Sequence, residues 1–210
     1  MLDVHAPHDR MHGWKDFLLH LLTITIGLLI ALGLEGCVEW QHHRHMVHEA
    51  EDAMSGEIAQ NRKTLELLKQ PIADQQKELD QDLATLAQMR SNPKADGKSL
   101  GFGFQTHSFD SVAWRTAQTS GVFAYMPYSD ASKFADIYGA QEGLVKAEEQ
   151  VVDEVVSAAA LPSTQPAPWH PTVEQIDELT TRIGVLKMRL YFLQSLMDSL
   201  SKQYATFQIN

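Results

Sequence analysis

The chain has 210 residues, and its 17 Lys+Arg against 27 Asp+Glu leave a net charge of −10, which excludes a general nucleic-acid binder because such proteins need a basic face to displace counterions. The single cysteine, Cys37, excludes an internal disulfide and any Cys-based zinc cluster. Twelve glycines, eight prolines and 8% aromatic residues are too few for a turn-rich all-β fold, so the composition predicts an all-α protein.

Residues 1–16 form a short polar tail, and 17–34 (FLLHLLTITIGLLIALGL) then run without a Lys, Arg, Asp or Glu. As a helix these eighteen residues span about 27 Å, close to the roughly 30 Å hydrocarbon core of a bilayer. Twelve are Leu, Ile or Phe, whose insertion free energy outweighs the lone His20 near the border. Trp14 and Trp40 bracket the run at a helical separation of about 39 Å, near the spacing of the two interfacial zones. The expectation is one transmembrane helix over 17–36, favoured over a buried core helix of a soluble protein. Arg10 and Lys15 precede the span and only Arg44 follows closely, which points to a cytoplasmic N-terminus and an outer C-terminal domain. From Cys37 onward 23 acidic residues face 15 basic ones, so that domain is not drawn to anionic lipid.

No A-x-A-like cleavage site follows the span. Leu34-Glu35-Gly36-Cys37 shares Leu, Gly and Cys with a lipoprotein box but puts an acid where a small or apolar residue is usual, so a plain thiol is favoured over lipidation. Thr23, Gly27 and Ala31 recur at every fourth residue and make a small-residue stripe on which a second membrane helix can pack, a homodimer being one reading and simple anchoring the other. A neutral His20 bonded to a backbone carbonyl is favoured over a functional intramembrane group.

Residues 37–210 read as an extramembrane helical domain, a bundle of long helices. Val47, Met54, Ile58, Leu65, Leu68, Ile72, Leu79, Leu83 and Leu86 fall near one face, and Pro71 predicts a kink or break separating helices over 39–69 and 72–90. A Gly, Pro and Lys-rich loop is expected over 91–107. Its Gly97-Lys98-Ser99 and Gly101-x-Gly103 lack the remaining glycines of nucleotide-binding loops, so no nucleotide is expected. Ser108 is placed to cap a helix over 109–120 closed by Gly121, and Ser129 one over 130–160. A Pro-rich linker follows over 161–171, and Thr172 and Gln175 form a capping box opening a long C-terminal helix over 172–208.

That helix carries Ile176, Leu179, Ile183, Leu186, Leu190, Leu193, Met197, Leu200, Tyr204 and Phe207 in three-four alternation, a coiled-coil-like seam. Val185, Met188, Phe192 and Leu196 widen it, which favours packing inside its own bundle over a separate dimeric coiled coil, although paired bundles satisfy both.

Two stretches are familiar. Trp14-Lys15-Asp16-Phe17, TITIGLLIALGLE over 23–35 and the His-rich segment behind it resemble the N-terminus of a group of uncharacterised single-span bacterial membrane-anchored proteins. Ala113-Trp114-Arg115 through Ser120-Gly121 to Tyr138 resembles a pattern of related membrane-anchored domains of unknown function. The resemblance implies a bacterial inner-membrane protein and supplies no chemistry; a lipidated Cys37 would depart from it.

Around Trp114, the residues Phe104, Phe109, Phe123, Tyr125, Tyr128, Phe134 and Tyr138 suggest an aromatic cluster, read as core in preference to a ligand cleft. His5, His8 and His12 precede the span, and His42, His43, His45 and His48 follow it. His42, His45 and His48 share helical spacing with Glu39 and Glu49 in reach, a candidate Zn or Cu site that another helix would have to complete; weakly basic side chains at a headgroup zone are the favoured alternative. His107-Ser108-x-Asp110 are too close in sequence for a triad, and Glu148-Glu149 and Asp153-Glu154 read as solvated faces. The expectation is a non-catalytic, cofactor-free interaction or assembly module whose partners are the lipid bilayer and a homodimer or membrane-protein complex, with no nucleic acid. A ligand- or metal-sensing domain signalling through a separate partner is the alternative.

Overall fold

The computed structural model describes residues 13–92, 100–165 and 169–208. They form four α-helices, α1 (Trp14–Ser91), α2 (Val112–Ser120), α3 (Tyr128–Ser163) and α4 (Val173–Thr206), with a 3₁₀ turn at Val122–Ala124 and no strand among the described residues. The chain divides into two compact units, Met1–His48 and Glu49–Asn210, and α1 contributes to both.

In the first unit α1 opens just after Gly13, and every residue from 13 to 42 is exposed. This segment is long and apolar enough to cross a membrane. Thr23 and Thr25 return their hydroxyl protons to the carbonyls of Leu19 and Leu21 at 2.9 and 2.8 Å, so neither leaves a free donor on the apolar surface.

The second unit is a bundle whose directions follow from its cross-links. Gln76 donates to Gln194 at 3.2 Å and Arg90 to Asp177 at 2.6 Å, so α4 runs antiparallel to α1. Gln141 of α3 donates to Tyr204 at 2.9 Å and Arg189 to Gln150 at 2.9 Å, so α3 is also antiparallel to α4 and parallel to α1. Two parallel helices need a return path between them, and residues 100–111 provide it as an extended strap. Gly101 N donates to Asp82 at 3.2 Å, Asp110 N to Asn61 at 2.8 Å and Ala113 N to Glu57 at 2.8 Å, a descending order along α1. The architecture is an up-down-up-down bundle with its second element unwound.

The core lies along one stripe of each helix. On α4 the nine residues from Ile176 to Tyr204 at three-four spacing are all buried, Ile183, Leu186 and Leu190 completely. The Thr172–Gln175 capping box forms in both directions, at 2.9 and 3.3 Å. On α1 the predicted apolar stripe is buried except Leu83, which is half-buried. Gly121 takes the left-handed conformation, φ 77° and ψ 7°, that ends α2.

Several boundaries depart from expectation. No break occurs at Pro71; α1 continues through it as one helix. Proline removes only its own donor to the carbonyl of Leu67, a residue 68% exposed, and the core residues Leu68 and Ile72 on either side of it stay buried in one continuous stripe. Ser108 caps nothing: α2 starts at Val112, because Asn61 holds Asp110 at both its N–H and its carbonyl and keeps that residue out of a helix. Ser129 is likewise not a cap, since the Pro127 carbonyl accepts from both Asp130 and Ala131 and opens α3 at Tyr128. α3 runs on to Ser163 with Pro162 in its last turn, so the linker is shorter than 161–171. Residues 1–12, 93–99 and 166–168, which include His5, His8, His12 and the Gly97-Lys98-Ser99 triplet, lie outside the described residues.

Candidate functional site

Three sets of side chains stand out: the polar groups that bind the strap, the apolar faces left uncovered, and the histidines after the span.

The strap is held by buried polar residues set into the apolar stripes of α1 and α3. Asn61 replaces a core apolar residue one turn from Ile58 and Leu65 and is 1% exposed. Its Nδ2 donates to the Asp110 carbonyl at 2.7 Å and to Gln141 Oε1 at 3.2 Å, while Gln141 donates onward to the Tyr204 hydroxyl. One buried layer thus joins α1, the strap, α3 and α4. Asp82 accepts from Gly101 N, and Glu148 of α3 accepts from His107 N at 3.0 Å. Burial, reinforced by neighbouring Glu78 and opposed by the Gly101 N–H, pushes the Asp82 carboxyl up to about 6. Burial also raises Glu148, against the lowering effect of the His107 N–H and side chain. Glu148 is therefore no solvated surface acid, whereas Glu149 and Asp153 are exposed and Glu154 faces Arg189 at 3.6 Å.

Beside this layer Tyr138 donates to Glu57 at 2.6 Å, and Glu57 also accepts from Ala113 N. Burial and the adjacent Glu57 carboxylate raise the phenol well above its ordinary range, so it remains protonated and serves as a donor. Trp114 stacks on Tyr138 at 4.9 Å between ring centres and leans on Phe123 at 5.2 Å. The aromatic set is not one wall: Phe134 is buried against Phe207 at 5.4 Å, and Tyr125 and Tyr128 are exposed.

The uncovered apolar surface lies in two places, one in each unit. In the first, Thr23, Gly27 and Ala31 keep their helical stripe, and a Cβ built on Gly27 meets nothing within 4 Å. Cys37 is exposed. In the second, of the four residues expected to broaden the buried seam of α4, Val185, Met188 and Phe192 are exposed, Met188 at 68%, and Leu196 is half-buried. α4 meets its neighbours through the Leu186–Leu190–Leu193 stripe, which leaves the adjoining positions on the outside. There they line a shallow cleft of about 510 Å³ between α3 and α4.

His42, His45 and His48 are exposed and His43 is half-buried; the rings of His42 and His43 lie 6.0 Å apart, and Arg44 sits over Trp40 at 5.4 Å. Among the described residues no group of three or more His, Cys, Asp or Glu is placed to hold a metal ion.

The sequence does not single out the buried polar residues Asn61, Gln75, Asp82 and Gln141, and it places Glu148, also buried, on a solvated face. Their signal was their phase: each falls in step with the apolar stripe of its own helix. Searches against family models, curated proteins and solved structures found no match for this chain.

Proposed function

We propose that this chain is a membrane-anchored, non-catalytic helical interaction module of a bacterial inner membrane, with its N-terminus cytoplasmic and the bundle on the outer side. The observation that carries the reading is the placement of apolar surface. Residues 17–34 are apolar without a charge and exposed along their whole length, while in the second unit the three-four stripes are buried. A helix exposing that much apolar surface needs a bilayer or another apolar phase around it. The exposed Val185, Met188 and Phe192, repeating at three and four residues along α4, give the bundle a second apolar face suited to a helix of a partner or of another copy.

The test is the mass of the full chain purified in mild detergent or nanodiscs, with and without Met188→Glu and Phe192→Glu. The expected result is a particle larger than one protomer that the paired substitutions reduce to the protomer while its helical content is kept. A wild-type protomer unaffected by the substitutions contradicts the reading.

A further inference from the structure

We propose that the groove between α1 and the C-terminal end of α4 is a binding site for a single-chain anionic amphiphile, a long-chain fatty-acid carboxylate. The groove encloses about 810 Å³, within the range of small-molecule sites, and lies wholly inside the second unit. Its α1 wall extends from Ser55 to Leu67, about 18 Å of helix, a length suited to an extended acyl chain.

The wall chemistry divides the ligand into tail and head. Ile58, Leu67 and Phe207 supply apolar surface; Leu67, a large aliphatic side chain off the buried stripe of α1, is 68% exposed. Phe207 is fixed by its ring contact with Phe134, so that wall is preformed. Arg62 and Lys63 stand at the same groove and make no hydrogen bond or ion pair among the described residues. Elsewhere on the bundle, Lys69, Arg90, Lys133, Lys146, Arg182, Lys187 and Arg189 are each paired with a carboxylate, while Lys77, Arg115 and Lys202 are not so paired among the described residues but line no apolar groove with a second cation. On a chain of net charge −10, two adjacent cations with free N–H donors beside an apolar trough select an anion attached to a hydrocarbon. The one acid in the lining, Glu66, is hydrogen-bonded by Lys69 at 2.7 Å and by the Ser201 hydroxyl at 3.3 Å and feels the Arg62 charge only at longer range, so both cations keep their N–H donors for the ligand. A bilayer around residues 17–34 would supply such amphiphiles, but the groove's chemistry does not depend on that anchoring.

The experiment uses the full chain in phosphatidylcholine nanodiscs with a photoactivatable palmitate analogue, and maps the cross-linked peptides by mass spectrometry. Labelling is expected within 55–67 or 204–208, saturable, competed by palmitate and not by lysophosphatidylcholine. Ala59→Trp, which fills the groove from an exposed position, and the pair Arg62→Glu with Lys63→Glu should each lower it at least about fivefold. Label confined to 17–34, or label in the groove that both variants leave unchanged, overturns the proposal. So does a particle holding two protomers that Ala59→Trp separates, because a second copy then covers the groove. Anchoring is read separately by membrane fractionation.

Discussion

Asn61 and Asp110 exchange two hydrogen bonds, side chain to backbone, at 2.7 and 2.8 Å, the pairing one backbone segment offers another in a sheet. A helix has no free backbone groups to offer a neighbour, so α1 uses an amide side chain to hold an extended strap in a helical bundle.

Asn61→Ala is therefore expected to cost more than a polar-to-alanine change usually does. It leaves the Asp110 N–H and carbonyl, and Gln141 Oε1, without their partner, and buried polar groups stranded in this way sum to about 2 to 5 kcal/mol. Urea unfolding of the full chain in nanodiscs measures it, with faster hydrogen exchange across 100–111. A loss below about 0.5 kcal/mol, the range of an ordinary surface change, would show that Asn61 does not hold the strap.

The strap also gives stability a pH dependence of defined sign. The Asp82 carboxyl titrates near 6 in the folded chain against an ordinary value of 3.8, so folding favours its protonated form. Its contribution is fully present below about 4 and is lost as the pH rises through about 6. Asp82→Asn, neutral at every pH and still able to accept from Gly101 N, should raise the unfolding midpoint at pH 7.5. That advantage should shrink to nothing between pH 6 and pH 4. An advantage that grows on acidification would reverse the assignment.

The two faces of α4 should respond differently to truncation. Leu190 is fully buried and Leu190→Ala is expected to cost about 2 to 5 kcal/mol, whereas Met188→Ala on the exposed side should fall within about 0.5 kcal/mol. Equal costs in chemical denaturation of the dissociated protomer would contradict the exposed placement of Met188 within it.

How far these features were legible depended on whether local and long-range signals agreed. In α4 the Thr172–Gln175 cap, the helix propensity and the buried stripe all favour one answer, and the helix was readable almost to the residue. In α1 the apolar members of the stripe were readable, but Asn61, Gln75 and Asp82 passed for interruptions because polarity, and not phase, was read. Pro71 was over-weighted, since the buried Leu68 and Ile72 on either side hold the helix through a residue that by itself costs about 3 kcal/mol. The strap had a signal in Leu100-Gly101-Phe102-Gly103-Phe104, an alternation proper to extended chain, yet nothing local reveals that its partners are Asp82, Asn61 and Glu148. Those pairings join residues 19 to 49 positions apart. The same tertiary bonds moved the start of α2 away from Ser108.

In the first unit, the Thr23, Gly27, Ala31 stripe predicts close approach of two membrane helices. Oxidation of membranes holding the full chain should give a Cys37-linked dimer, and Gly27→Leu should lower its yield roughly threefold or more by separating the backbones. A cross-linked dimer indifferent to Gly27→Leu places the contact elsewhere.

A bilayer around residues 17–34 underlies the anchoring of the whole chain, and alkaline carbonate washing of membranes from cells expressing the full chain tests it directly. The prediction is that the protein stays in the pellet with integral proteins and that deleting 17–34 moves it to the supernatant. Release of the intact chain by the wash would contradict it.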